Sequence, residues 1–382
     1  MTRLTSYLAI LALVSLCLAA PAGAAPAGKP AAEKPAAAAK APAEKPAAEK
    51  PAAKAPTAVK TPAPGPAPSP KGFCFNDTKG EYLDIYLDGR AVARYMYANN
   101  VSAPDRSNQT FKPYLHVFDA EGKATITKGP GGSFTHHRGI FFGWQKIGLE
   151  GKNYNLWEMA GGNRQVHQKF VAQTAGPDEA SFTSLVFWNL TDGKTLIEEE
   201  RTMTFYRRPA PTLAIIDFST KVKSVAGDLV LAGDPEHGGV QYRAAEEVDR
   251  PATKYCLPKD AVDAPLDPSA DWITMAVEKD GKKAAVTKIA KADLPWAGLA
   301  YTVGGKPYFV EEMSDPGNPK GTLWSAYRDY ARFGAYPKAE LKKDATLVLK
   351  YRFWVTGGMP PTREAFQKQY DEYVKTAPAA GK

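Results

Sequence analysis

From Glu81 onward, apolar and polar residues alternate with the period of a β-strand. Leu83, Ile85 and Leu87 fall on one face, and Asp88-Gly89 then turns the chain into Ala91 to Tyr97, the spacing of a two-residue hairpin. The same pattern predicts strands over Ser181 to Asn189, Thr195 to Tyr206 across an Asp192-Gly193 turn, Thr212 to Lys223, Lys306 to Met313 and Thr346 to Val355. Pro209 and Pro211 mark a turn or strand edge. The period changes near the C terminus, where Phe366, Tyr370, Tyr373 and Val374 take helical spacing behind Pro360-Pro361-Thr362, a natural helix start. No long repeat suggests a propeller or solenoid. The pattern predicts a mostly β fold, a large antiparallel two-sheet β-sandwich with a short C-terminal helix on the outside of one sheet.

The N-terminal region follows a different pattern. Arg3, the apolar run Tyr7 to Leu18 and the small residues Ala22-Gly23-Ala24 read as a signal peptide over residues 1–24, cleaved near Ala24. The apolar run is too short for a bilayer span, which takes about 20 residues, and Cys17 follows Leu16 rather than the small residue of a lipoprotein signal. Residues 25–70 repeat variants of Ala-Glu-Lys-Pro-Ala-Ala with no aromatic residue, a composition expected to stay a disordered, proline-stiffened tether. A single β-rich domain is expected over 71–378. These features predict a periplasmic or secreted product with no transmembrane segment in the mature chain, and the tether could link it to the cell envelope.

Charge then excludes one class of partner. Eight Lys against three Glu in Ala25 to Lys71, together with Arg3, account for six of the net +8 and leave +2 for the domain, so nucleic acid is not an expected partner. Cys74 and Cys256 remain after cleavage, and an oxidising compartment leaves open both a disulfide and two separate buried thiols. Glu198-Glu199-Glu200-Arg201 reads as charge on a solvated strand face, with Glu199 opposite Glu198 and Glu200.

Candidate chemistry gathers around the histidines, of which there are five: His116, His136, His137, His167 and His237. Pro113-Tyr114-Leu115-His116 leads into a strand. Thr135-His136-His137-Arg138-Gly139 follows a glycine-rich stretch and precedes Phe142-Gly143-Trp144. Glu236-His237-Gly238-Gly239 sets a histidine beside a carboxylate, and Trp324 to Tyr330 concentrates aromatic and ionisable groups. On a strand, His136 and His137 would point to opposite faces, so one of them, His137, is expected in a shared site.

These four segments resemble a bacterial family catalogued as methane oxygenase PmoA-like, otherwise a domain of unknown function. The resemblance spans most of Phe73 to Gly358, with a shorter Gly-Pro-Gly-Gly-Ser-Phe lead into the paired histidines. It implies a supersandwich like that of galactose mutarotase, and literal methane oxygenase activity is not expected of a chain without membrane spans. A saccharide or polysaccharide substrate follows as the leading expectation, processed as by a hydrolase, lyase or epimerase through His/carboxylate acid-base chemistry. The candidate catalytic set is His116, His137, His237, Glu236 and Asp329, with Glu236 or Asp329 as carboxylate partner. The candidate substrate-binding set is Arg138, Trp144, Trp324, Tyr327 and Arg328, with Trp157 as a further aromatic platform. Two alternatives stay open: a metal-dependent enzyme with His116, His137 and His237 as a three-His site, and a non-catalytic glycan-binding module. No cofactor is indicated by any motif.

Overall fold

The computed structural model describes residues 57–376 apart from 235, 263–269, 275–277, 280–281, 284–288 and 290. The expected signal peptide and the tether as far as residue 56 lie outside the described residues. Two eight-stranded antiparallel sheets dominate. The first runs, in spatial order, Phe73–Thr78, Tyr82–Leu87, Arg90–Met96, Tyr114–Val117, Ile140–Trp144, Gly238–Arg243, Arg332–Tyr336 and Leu323–Arg328. The second runs Lys254–Cys256, Trp296–Val303, Lys306–Ser314, Thr346–Gly357, Thr212–Ser224, Thr195–Tyr206, Glu179–Asn189 and Arg164–Ala175. A four-stranded sheet (Ala339–Leu341, Leu229–Ala232, Lys146–Leu149, Lys152–Tyr154) extends one side. Among the described residues no helix is long and apolar enough to cross a membrane.

The predicted strands are present, and the Asp88-Gly89 hairpin has φ of 51° and 79° at its two central residues, the left-handed values of a type I′ turn. Alternation then sorts side chains between two environments. From the first sheet, Leu115, Ile140, Phe142, Trp144, Val240, Tyr242, Phe333 and Ala335 point into the space between the sheets and join one continuous core with Trp188, Phe218, Leu299 and Phe353 of the second. The Phe142 ring lies 5.4 Å from that of Trp188, and hydrogen bonds from Tyr95 Oη to Ser184 Oγ (3.1 Å) and between the Tyr242 and Tyr301 hydroxyls (2.6 Å) bridge the sheets. On the far side of the second sheet, the helix Arg363–Thr376 buries Phe366 and Tyr373 against Trp296 and Met313, and Thr362 Oγ1 accepts the Ala365 N–H at 3.2 Å as an N-cap. Val374, read as part of the apolar stripe, is 37% exposed.

Two expectations need correction and one open question closes. Glu199 is fully buried, because alternation places it with Arg201, Met203 and Phe205 on the core face while Glu200 faces water. Its two carboxylate oxygens accept from Arg201 Nε and Nη2 (both 2.8 Å), Thr220 Oγ1 (2.9 Å) and Trp188 Nε1 (2.8 Å), and Arg201 also donates to Gln165 and to the Pro113 carbonyl. Residues 57–70, assigned by composition to the tether, lie instead along the outer face of the first sheet. There Val59 N–H donates to the Pro130 carbonyl (2.9 Å), Arg94 to the Pro62 carbonyl (2.7 Å) and Tyr86 Oη to the Gly65 carbonyl (2.9 Å). Low-complexity composition hid this because most of these contacts are made by backbone groups, which every residue carries. Cys74, half-buried on the edge strand, and Cys256, buried beneath the helix, are separate unpaired thiols, so no disulfide joins them.

Removing one partner of a buried ion pair strands the other charge, which costs about 3–5 kcal/mol. Glu199→Ala is expected to lower the unfolding free energy by that amount in urea denaturation, whereas Glu200→Ala on the solvated face should change it by less than about 0.5 kcal/mol.

Candidate active site

The outer face of the first sheet is polar and nonetheless covered. Arg94, His116, Phe141, Gln241, Arg243, Arg332 and Ser325 occupy the outward positions of successive strands and are all buried. Loops 129–139 and 153–163 lie over them. Gly143 makes the close approach possible: a Cβ there would meet the Leu156 carbonyl oxygen at 2.3 Å, so only glycine lets the segment carrying Trp157 settle onto the sheet. Trp157 in turn caps Lys112, whose ammonium donates to the Trp157 carbonyl at 2.6 Å and sits 4.5 Å from the centre of the Phe141 ring.

His136 and His137 occupy a turn rather than a strand, so alternation does not separate them. Their rings meet edge to face at 4.3 Å between centroids, and both enter the site, contrary to the expectation of His137 alone. Phe134 (5.2 Å), Phe141 (5.8 Å) and Tyr330 (6.0 Å) surround the His137 ring. Phe134 holds φ at 50°, a left-handed value rare for a bulky side chain, and is 42% exposed at the mouth of the site. Burial, reinforced by nearby cations, pushes both imidazoles well below their ordinary pKa, so they are neutral at neutral pH. The charged groups facing His136 are Lys112, His237, Arg138 and Arg332, and those facing His137 beyond His136 are Arg332, Arg243 and Lys112. His136 Nε2 and His137 Nδ1 are buried with no hydrogen-bond partner among the described residues, as are Trp157 Nε1, Arg328 Nε and Arg332 Nε.

The turn before the strand Gly238–Arg243 supplies the other half. His237 Nδ1 bonds Asp234 Oδ1 at 2.7 Å, and the Asp234 oxygen also accepts the Glu236 N–H at 2.9 Å. Burial would raise the Asp234 pKa, but His237, the Glu236 N–H and Arg332 together outweigh it and hold the carboxyl below its usual range. Glu236 does not pair with a histidine. Its carboxylate accepts from Tyr327 Oη (2.5 Å) and from Arg328, with Arg332 Nη2 at 3.9 Å, and these contacts more than offset burial and keep it ionised. Arg332 is fixed by the Glu236 carbonyl (2.9 Å) and Gln241 Oε1 (2.8 Å).

The structure therefore brings His137, Arg138, Trp157, His237, Glu236, Tyr327 and Arg328 to one region and sets His116, Asp329, Trp144 and Trp324 apart from it. His116 lies apart beneath residues 57–67, bracketed by Thr127 Oγ1 (3.0 Å) and Thr61 Oγ1 (3.1 Å). Asp329 sits at the rim, half-exposed, 3.9 Å from Arg250, and serves no histidine as carboxylate partner. Arg138 is a buried clip, donating to the carbonyls of Thr135, His137 (3.1 Å) and Asn108 (3.2 Å), so it is not a substrate clamp. Trp144 and Trp324 are core residues, since their strand positions face inward, and neither can stack on a ligand. Among the described residues no group of three His, Cys, Asp or Glu side chains converges as a metal centre requires, so the three-His arrangement is not assembled. His167 is bonded to Ser184 (2.6 Å) within an aromatic cluster away from this region.

The sequence reading passed over Asp234, Lys112, Arg332, Gln241 and Phe134. Asp234 alone carried a legible signal, an Asp three residues before His in a Pro-containing turn. The others reach the site through strand pairing and loop covering, which no local pattern encodes.

The chain belongs to the family described as "Family of unknown function (DUF6807)", whose model matches residues 82–371. That description does not carry the PmoA-like name. No curated protein matches the sequence. Among solved structures, the chain is similar to heparan sulfate lyase HepC from Pedobacter heparinus, at 8% identity and TM-score 0.36, covering 76% of this chain and 37% of that one. It is also similar to the Slr1438 protein from Synechocystis sp. PCC 6803, at 10% identity and TM-score 0.33, covering 78% of this chain and 100% of that one. A Glycoside Hydrolase Family 97 enzyme from Pseudoalteromonas sp. strain K8 matches at 9% identity and TM-score 0.29, covering 75% of this chain and 34% of that one. The chain thus spans little more than a third of the lyase's length. At these scores the likeness carries no assignment of function.

Burial and the neighbouring Arg94 and Arg138 lower the pKa of His116 from 6.5 to about 3. Between those values the unfolded chain holds a proton that the folded chain does not, so stability falls as pH falls through that window, by at most about 1.4 kcal/mol per pH unit for this group. His116→Gln should shallow the acid-side decline in urea-denaturation stability between pH 6 and about 4 relative to wild type, a range set by that window. An unchanged slope would mean that His116 titrates alike in both states.

Proposed function

We propose that the protein is exported and acts on a saccharide, using histidine and carboxylate groups to move protons on the sugar. The observation that carries this reading is the His237–Asp234 contact of 2.7 Å, set within electrostatic reach of His136 and beside the Tyr327–Glu236–Arg328 group. With Nδ1 engaged by Asp234, Nε2 of His237 is the nitrogen left to exchange a proton, and Asp234 fixes the orientation of the ring. His136 and His137 are held neutral by burial, so each keeps one ring nitrogen able to donate a hydrogen bond and one able to accept it. Glu236 keeps Tyr327 and Arg328 oriented rather than accepting the proton itself. Phe134, exposed at the mouth and backed by Tyr330 at 4.8 Å, offers an apolar face to a pyranose ring.

Export is supported by the Arg3 to Ala24 pattern, and attachment to the cell envelope through the Ala/Pro/Lys segment is part of the same proposal. A positioned general acid or base contributes about 10²–10⁴-fold to rate. Turnover on a panel of oligosaccharides, followed by reducing-end and unsaturated-product detection, is expected to drop by that factor in His237→Ala and in Asp234→Asn, with folding checked by circular dichroism. Saccharide binding without turnover in the wild type would favour the glycan-binding module, and turnover unchanged in both variants would remove His237 from the chemistry.

A further inference from the structure

Four basic side chains lie buried around the two imidazoles: Lys112, Arg138, Arg243 and Arg332 are each no more than 2% exposed, and burial with Arg138 and Arg201 nearby pushes the Lys112 amine well below its ordinary pKa, a shift that an anion beside it would offset. Elsewhere in the protein buried cations have dedicated carboxylates, as in the two-pronged contacts of Arg94 with Asp84 (2.5 and 2.9 Å) and of Arg201 with Glu199 (2.8 Å each). Around His136 and His137 that matching fails. Glu236 is already engaged by Arg328, Arg332 and Tyr327. Glu246 is engaged by Arg243 (3.4 Å), Lys128 (3.8 Å) and the Ser133 N–H (2.8 Å). Among the described residues neither Lys112 nor Arg138 has a carboxylate within ion-pair distance, and the hydrogen bond made by the Lys112 ammonium goes to the Trp157 carbonyl. The unpartnered donors already noted on Trp157, Arg328 and Arg332, and the unpartnered ring nitrogens of His136 and His137, belong to the same region.

We propose that the ligand of this site carries an anionic group, a carboxylate or a sulfate on the sugar, that is received by His136 and His137 under the positive field of Lys112, Arg243 and Arg332. This inference rests on the saccharide reading for the identity of the ligand and on the charge distribution for its sign. Buried charge is stable when paired, and a neutral sugar offers hydroxyls but no countercharge. Donors with no internal partner suit an acceptor-only group, and carboxylate and sulfate oxygens are acceptors only. The same field disfavours a divalent cation beside these histidines, since it would add positive charge among buried guanidinium groups.

The test uses the full mature chain and paired ligands that differ only in charge. One pair is a uronate-containing oligosaccharide and its carboxyl-reduced form, and the other is a sulfated oligosaccharide and its desulfated form, each titrated calorimetrically at low and high salt. The charged member of one pair is expected to bind at least about tenfold tighter than its neutral partner, to weaken as salt rises, and to lose that advantage in Lys112→Met. The pair that discriminates identifies carboxylate or sulfate as the group. Equal binding of charged and neutral members overturns the anionic inference and leaves the saccharide reading standing. If no saccharide binds, inorganic sulfate separates the two ideas through its effect on thermal unfolding. Stabilisation of wild type but not of Lys112→Met keeps the anion site without the sugar, and no stabilisation overturns it. Because Lys112→Met could fold poorly, the salt dependence and the pairwise comparison on wild type decide the matter independently.

Discussion

A charge withdrawn from water has to be matched, and this protein meets that demand unevenly. Within the core, Arg201 and Glu199 close a fully buried pair that also satisfies Trp188 and Thr220. On the outer face of the first sheet, Arg94 and Asp84 do the same. The second sheet adds Arg352 with Asp217, at 2.5 and 2.8 Å. Each guanidinium in these pairs meets two carboxylate oxygens, the geometry in which a buried ion pair recovers most of its desolvation cost. Around His136 and His137 the chain places cations without such partners. A fold that matches its buried guanidinium groups with carboxylates several times and leaves basic groups unmatched around His136 and His137 has given up stability there, which is how functional sites differ from cores.

Sheet alternation creates the conditions for that site. Every second residue of the first sheet goes to the intersheet core, so the residues between them form a second, outward layer. In most two-layer sandwiches such a layer meets water. Here loops and residues 57–67 cover it, and the polar groups of Arg94, His116, Gln241, Arg243 and Arg332 become interior without becoming apolar. Small residues permit the covering. Gly143 admits the Leu156 carbonyl, and Gly239, at φ 74°, would carry a Cβ only 1.9 Å from the Ala335 carbonyl oxygen. The glycines thus set how closely loops and strands approach the face that holds the site.

Strand period, turn chemistry and the C-terminal helix were legible because they are local. Leu83, Ile85 and the Asp88-Gly89 turn needed no knowledge of distant residues, and neither did Phe366 and Tyr373 on their helix face. The site was legible only where chemistry coincided with a conspicuous local context, as at His137, His237 and Glu236. Trp144 and Trp324 drew attention as aromatics, yet their strand parity sends them to the core, and that parity could be fixed only by knowing which sheet face the neighbouring strand buries. Lys112 was invisible because its role comes from Trp157, 45 residues away, closing over it. Residues 57–70 misled for the opposite reason: their composition signals disorder, whereas their backbone groups find fixed partners on the outer face of the first sheet and on a loop.

The turn at Asp234 to His237 shows how little chain is needed to divide labour between two carboxylates. Asp234 faces back along its own turn, where one oxygen meets both the Glu236 N–H and the His237 ring, so its charge is used to hold an imidazole. Glu236, two residues on, faces the other way and meets Tyr327 and Arg328 at the end of a strand that is remote in sequence. One carboxylate therefore fixes the His237 ring and the other ties that turn to the edge of the sheet. Because Arg332 contacts both the Glu236 carbonyl and Gln241, a displacement of Glu236 would move the guanidinium that faces His136 and His137 as well. The two halves of the site, one carrying the His237–Asp234 pair and the other the neutral imidazoles, are mechanically joined through that arginine.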